Sequence, residues 1–206
     1  MPLVDLNLPV DEGTMGRDVR VFVREAERRI ERFQRTRPIP AFVPSDFARV
    51  YGLLRGLAAA ELAPARLFCE WGSGFGVVAD LAAMLDFDAC GIEVEGELVQ
   101  AARQLADDFG LPVEFAHGSF IPKGAACVNS SAEFAWLTQE GASGQEELGL
   151  DPDDFNVIFA YPWPDEERLT EELFERYASV GAVLVTYHGG EVFRVRRKTR
   201  ARSGRP

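Results

Sequence analysis

The residues best suited to chemistry cluster in Glu70-Trp71-Gly72-Ser73-Gly74-Phe75-Gly76, where three alternate glycines separate an apolar, strand-like stretch from a helical one. Glycines at such a junction let the backbone turn sharply and approach a ligand closely, and the exposed N–H groups of the helix start favour an anionic group. Taken alone, the run fits a purely structural turn or a dinucleotide site equally well. Glu93 narrows the choice. It stands 21 residues beyond Gly72, in Gly91-Ile92-Glu93 at the end of the next predicted strand, where a carboxylate can accept both hydroxyls of a ribose. Glu70 closes the first strand; an acid there suits a cationic group such as an ammonium, or else caps the helix start with no ligand. Val77 stands where a G-x-G-x-x-G turn needs Gly or Ala, which disfavours a nicotinamide dinucleotide.

A second group is Tyr161-Pro162-Trp163-Pro164, at the carboxyl end of a predicted strand, the edge at which open α/β sheets bind ligands. The faces of Tyr161 and Trp163 can hold a sulfonium or an ammonium by cation–π attraction; the simpler alternative is a rigid turn packed on its own core. Tyr187 and His188 are expected at the same edge, although His188, beside Gly189-Gly190, reads more simply as a hairpin residue. His117 reads as a surface residue after the third strand. Asp165 and Glu166 read as helix-start acids that suit the N-terminal dipole. No side chain stands out as a general base.

These groups need a scaffold, and the apolar patterning supplies one. Short apolar runs at 67–70, 89–93, 113–116, 156–160 and 182–187 alternate with helical stretches at 77–85, 97–109 and 166–178, as in a parallel sheet covered on both faces. Upstream, Val19, Val23, Ala26, Ile30 and Phe33 recur at helical spacing within 15–37, ended by Pro38 and Pro40; Ser45 is placed to N-cap a second helix over 46–61. The narrow apolar stripe of the first helix is expected to pack on its own domain, with a homodimer contact as the alternative. Gly189-Gly190 joins the last parallel strand to 191–197 in a tight hairpin, whose Arg and Lys residues are expected to discourage further edge pairing. Residues 123–153 carry little periodicity beyond 133–139 and are read as an excursion beside the site.

Composition limits the partners. Of 206 residues, 47% are hydrophobic, enough for one domain with a sizeable core. The net charge of -11 is uneven: 17–37 holds eight arginines and 194–205 seven basic residues, while 38–193 carries only seven basic residues against 26 acids. A phosphate backbone would be repelled by that body, so nucleic acid is disfavoured as a substrate. No basic leader or apolar run of membrane-spanning length occurs, and Cys69, Cys90 and Cys127 form no pair at metal-ligand spacing, so a cytoplasmic protein without a metal is expected.

Over residues 67–187, Glu70-x-Gly72-x-Gly74-x-Gly76 followed by Gly91-Ile92-Glu93 resembles the cofactor site of class I S-adenosylmethionine-dependent methyltransferases. That resemblance implies an α/β, Rossmann-like, mostly parallel sheet of order 3-2-1-4-5, to which the patterning of this chain adds a C-terminal antiparallel hairpin strand and N-terminal helices. It assigns Glu70, Gly72 and Gly74 to the methionine part of S-adenosyl-L-methionine, Glu93 to its ribose, and Gly118, Ser119 and Phe120 to its adenine, with Ser119 standing where many relatives have an acid. His117 would lie on the adenine side. A looser similarity to small non-SET protein-lysine methyltransferases runs through Phe42-Val43-Pro44-Ser45, which would put Ser45 against the cofactor, and through Phe159-Ala160-Tyr161-Pro162. The Asn-Pro-Pro-Tyr signature of amino-group methyltransferases is met in outline only, Ala160 replacing Asn.

The expectation is therefore methyl transfer to a protein or small-molecule amine held between Ser45, Tyr161 to Trp163 and the Tyr187-His188 turn. A cofactor-binding module without catalysis and a nucleotide-dependent oxidoreductase are the alternatives. Residues 1–44 are read as an N-terminal helical extension, 45–198 as the methyltransferase domain and 199–206 as a basic tail.

Overall fold

The computed structural model describes residues 2–8, 10, 13–125, 142–190 and 192–200. Its elements, in chain order, are β1 (Leu3–Asp5), α1 (Arg17–Thr36), α2 (Phe47–Ala59), β2 (Leu67–Trp71), α3 (Val77–Ala83), β3 (Asp88–Glu93), α4 (Gly96–Phe109), β4 (Glu114–His117), α5 (Gly144–Leu148), β5 (Val157–Ala160), α6 (Glu167–Tyr177), β6 (Val183–Tyr187) and β7 (Phe193–Lys198). The weakly periodic 133–139 stretch and Cys127 lie outside the described residues, as do Glu191 and 201–206.

Strands β2 to β6 pair in parallel and β7 returns antiparallel to β6, giving the sheet order β1-β7-β6-β5-β2-β3-β4. Taken in chain order, the five parallel strands follow 3-2-1-4-5, as expected. Successive strand residues serve opposite faces: Phe68, Val157, Phe159, Val183 and Val185 pack with α1 to α4, while Cys69, Ile158 and Leu184 pack with Leu169, Leu173 and Phe174 of α6. The apolar face of α1 (Val19, Phe22, Val23, Ala26 and Ile30) is buried in the first of these cores. Among the described residues, no helix is long and apolar enough to cross a membrane.

Two local expectations change. The side chain that caps α2 is Asp46, which accepts from the Arg49 N–H at 3.1 Å. Asp46 has extended backbone angles immediately before the first helical residue, whereas Ser45 lies one position too early and faces the cavity described below. The basic strand β7 is not the sheet edge, because β1 pairs with it antiparallel, Leu3 opposite Lys198 and Asp5 opposite Arg196. Its cations do not repel a neighbour because partners already hold them. Arg196 binds Glu171, Arg197 donates to the Leu62 carbonyl, and the buried Lys198 ammonium donates to the Ala178 carbonyl.

Candidate functional site

The carboxyl ends of β2, β3 and β5 open on one cavity of about 390 Å³, completed by the segment before α2 and by residues after β4. Ser45, Glu70, Gly72, Gly74, Glu93, Ser119, Phe120, Tyr161 and Trp163 all line it. The sheet order brings them together, because β2 lies between β3 and β5 and all three run the same way.

One half of the wall is a backbone cradle. The N–H groups of Gly72 and Ser73 donate to the Ile92 carbonyl at 2.9 and 3.0 Å, which hangs the turn after β2 on β3. Gly76, at φ 71°, begins α3, and a Cβ there would lie 2.3 Å from the Phe115 ring; at Gly74, φ 53°, a Cβ would lie 2.6 Å from Phe42. Glu93 sits at the centre of this half. Its Oε2 accepts from the Gly74 N–H at 2.8 Å and its Oε1 from the Glu95 N–H at 2.9 Å, so both oxygens are fixed. Burial raises its pKa, partly offset by those N–H donors.

Glu70 accepts the Ala79 N–H of α3 at 2.9 Å through one oxygen and also lines the cavity. Burial pushes its carboxyl well up, and the fields of Asp80 and Glu93 act in the same direction. At the far end of this half, Trp71 stacks on Phe120, ring centroids 5.1 Å apart and planes 8° from parallel. Ser119 is buried, and its Oγ accepts from the Ile121 N–H at 3.1 Å. Gly118 lies behind this wall, donating to the Glu93 carbonyl and packed against residues 142–144. His117 points elsewhere, its ring Nε2 3.0 Å from the Val94 carbonyl.

The other half is aromatic and acidic. Tyr161 packs on Tyr187, centroids 4.7 Å apart, and Tyr187 stacks on Phe193 at 4.8 Å. Trp163, 37% exposed, stands at the rim. The Tyr187-His188 turn does not form a wall as expected. Tyr187 is buried behind Tyr161, and His188 is held between Glu167 Oε1 at 2.8 Å and Thr186 Oγ1 at 2.9 Å, because β6 lies one strand beyond the cavity.

Fold comparison places this architecture. An RNA methyltransferase from Salinibacter ruber, solved with S-adenosylhomocysteine, superposes with a TM-score of 0.50 and 20% identity over 76% of this chain and 93% of its own. A methyltransferase from Geobacter sulfurreducens gives 0.54 and 15% over 84% of this chain and 90% of its own. The O-methyltransferase of tomaymycin synthesis from Streptomyces achromogenes, solved with S-adenosylmethionine, gives 0.51 and 19% over 84% of this chain, which spans 66% of that protein. The fold is that of the class I methyltransferases. No protein-family model and no curated protein matches the sequence.

Within this class I methyltransferase fold, three buried polar atoms of cavity-lining residues have no hydrogen-bond partner: Trp71 Nε1, Ser73 Oγ and Glu166 Oε1. Buried polar groups are nearly always paired, so each of these atoms has capacity for a further polar partner within the cavity. Together with the held Glu93 and the small-ligand volume, they fit a nucleoside joined to a polar chain. Sequence patterning missed Glu166. An acid at the start of a helix satisfies the dipole equally well whether its oxygens face water or a cavity, so no local signal marked it.

Proposed function

We propose that this chain is an S-adenosyl-L-methionine-dependent methyltransferase whose acceptor is an amine, on a protein or a small molecule. The observation that carries the reading is Glu93, held through both oxygens by backbone N–H groups, beside a glycine turn that a Cβ would obstruct. In this reading Glu93 takes the ribose diol, and the backbone of Gly72 and Gly74 follows the methionine chain. Glu70 offers its second oxygen to the ammonium end, Ser119 and Phe120 border the adenine, and Ser45 closes the cofactor side. Bound there, the cofactor supplies a methyl group on a positively charged sulfur. Tyr161 and Trp163 orient the acceptor and exclude water from its approach, so that much of the acceleration comes from positioning.

The S. ruber neighbour is an RNA methyltransferase, and RNA is the competing acceptor. It is disfavoured here because the described cavity wall carries Glu70, Glu93, Glu95 and Glu166 and no Lys, Arg or His. Of the arginines in and just after α1, Arg28 and Arg29 are held by Glu25, Arg35 by Glu31 and Arg37 by Glu97. The test is incubation with methyl-tritiated S-adenosylmethionine and a lysate of the source cells, separated into protein, RNA and small molecules. Base-stable label in protein or in an amine metabolite is expected. Label confined to RNA, or no transfer above an unloaded control, would overturn the amine assignment.

A further inference from the structure

We infer that Glu166 is the catalytic carboxylate of the acceptor side, binding the ammonium form of an amine beside Tyr161 and Trp163 and taking its proton before methyl transfer. This role rests on the methyltransferase reading above and adds to it the group that prepares the acceptor. Glu166 is 5% exposed and lines the cavity next to Trp163 and Thr170. A small reciprocal turn fixes it: its N–H donates to the Trp163 carbonyl at 2.8 Å, and its Oε2 accepts from the Trp163 N–H at 3.3 Å. The other oxygen, Oε1, is buried with no partner among the described residues. Leaving such an atom unpaired is costly, and more so when it is charged, so a bound donor would relieve a standing penalty.

The surroundings select the donor. No basic side chain belongs to the described wall, so neither a phosphate nor a carboxylate would find a counter-charge there, whereas an ammonium meets Glu166 beside two aromatic side chains, Tyr161 and Trp163. Glu167, next in sequence, cannot substitute, because His188 and Arg194 already hold it. Desolvation by burial raises the Glu166 pKa, which makes its ionised form a stronger proton acceptor.

The step balances. The amine arrives as R–NH3+ and passes one proton to Glu166 Oε1, leaving R–NH2 and a neutral carboxyl. The nitrogen lone pair then forms the N–CH3 bond while the S–CH3 bond breaks, its electron pair going to sulfur. The product leaves as R–NH2CH3+ with a neutral thioether, and Glu166 returns its proton to solvent as the cavity opens to it.

The probes that test this are n-butylammonium and its uncharged analogue n-butanol, titrated into protein saturated with S-adenosylhomocysteine and followed through the tryptophan indole N–H resonances. The wild type is expected to bind butylammonium at least about tenfold more tightly than butanol. Glu166→Gln keeps an acceptor for the Trp163 N–H but loses the charge, and should lose that preference while its S-adenosylhomocysteine affinity stays within about twofold. Glu166→Asp should retain part of it. With a transferable amine in hand, Glu166→Gln should slow transfer about a hundredfold, the lower range for removal of a general base. An ammonium preference that survives in Glu166→Gln, or is absent from the loaded wild type, overturns the role of Glu166 and leaves the cofactor assignment standing. Failure of the wild type to bind S-adenosylhomocysteine overturns both.

Discussion

Both halves of the cavity carry carboxyl groups, Glu70, Glu93 and Glu95 on the glycine-turn side and Glu166 on the other, yet they hold them differently. On the glycine-turn side Glu93 is tied to backbone through both oxygens and Glu70 to α3 through one. On the Tyr161 side Glu166 is tied through one oxygen only, and the other is buried and unpaired. The first arrangement fixes a shape in advance, so a ligand is met by immobile lone pairs. The second leaves one strong acceptor unsatisfied until something cationic or proton-donating arrives. Preorganisation of this kind suits a cofactor bound the same way in every cycle, while an open acceptor suits the group whose protonation must change.

This contrast can be broken first at Asp80. Its side chain is wholly buried in α3 and neither carboxylate oxygen has a partner among the described residues, and burial pushes its pKa from 3.8 up to about 8. Near neutral pH it is therefore protonated in the folded chain, which keeps the glycine-turn side free of an open charge. Because the folded pKa lies above the unfolded one, the stability this group confers is complete at low pH. It is lost as pH rises from about 4 to about 8, where the unfolded chain ionises and the folded chain does not. Asp80→Asn removes that dependence. Its advantage over the wild type should grow across this window by an amount on the order of 5 kcal/mol, read by urea denaturation at several pH values. Parallel stability profiles for the two proteins would mean that Asp80 is ionised and paired, and the contrast between the two halves would fail.

A smaller effect is expected on the other side. Tyr161→Ala and Trp163→Ala remove aromatic surface facing the acceptor, and each should reduce methyl transfer about a hundredfold, roughly 2.7 kcal/mol, with S-adenosylhomocysteine affinity nearly unchanged. Steady-state rates set beside calorimetric affinities check this. A parallel loss of both would move these rings to the cofactor side, and full turnover in both variants would place the acceptor elsewhere.

How much of this was legible in the sequence differs between the same two halves. The glycine run and Glu93 were readable because a sharp strand-to-helix turn leaves the chain few conformations, and Glu93 follows at the interval set by one helix and one strand. The parallel order 3-2-1-4-5 was readable from alternating apolar runs. The capping residue of α2 was displaced by one position, since Ser45 and Asp46 are both good caps and only backbone angles separate them. Strand β1 was hidden because three residues, Leu3 to Asp5, carry no period and pair with β7, nearly two hundred positions later. The open oxygen of Glu166 and the displacement of His188 onto Glu167 depend on which strand adjoins which, and that is settled by tertiary packing.

The most direct measurement is calorimetric titration of S-adenosylhomocysteine into the wild type and into Glu93→Ala, with circular dichroism confirming that the variant is folded. Binding to the wild type is expected at micromolar affinity, about 8 kcal/mol at the standard state, and Glu93→Ala should weaken it at least about tenfold, or roughly 1.4 kcal/mol. An absence of binding heat with the wild type across several temperatures, or equal affinity in the two proteins, would contradict the assignment of this cavity to the methyl donor through Glu93.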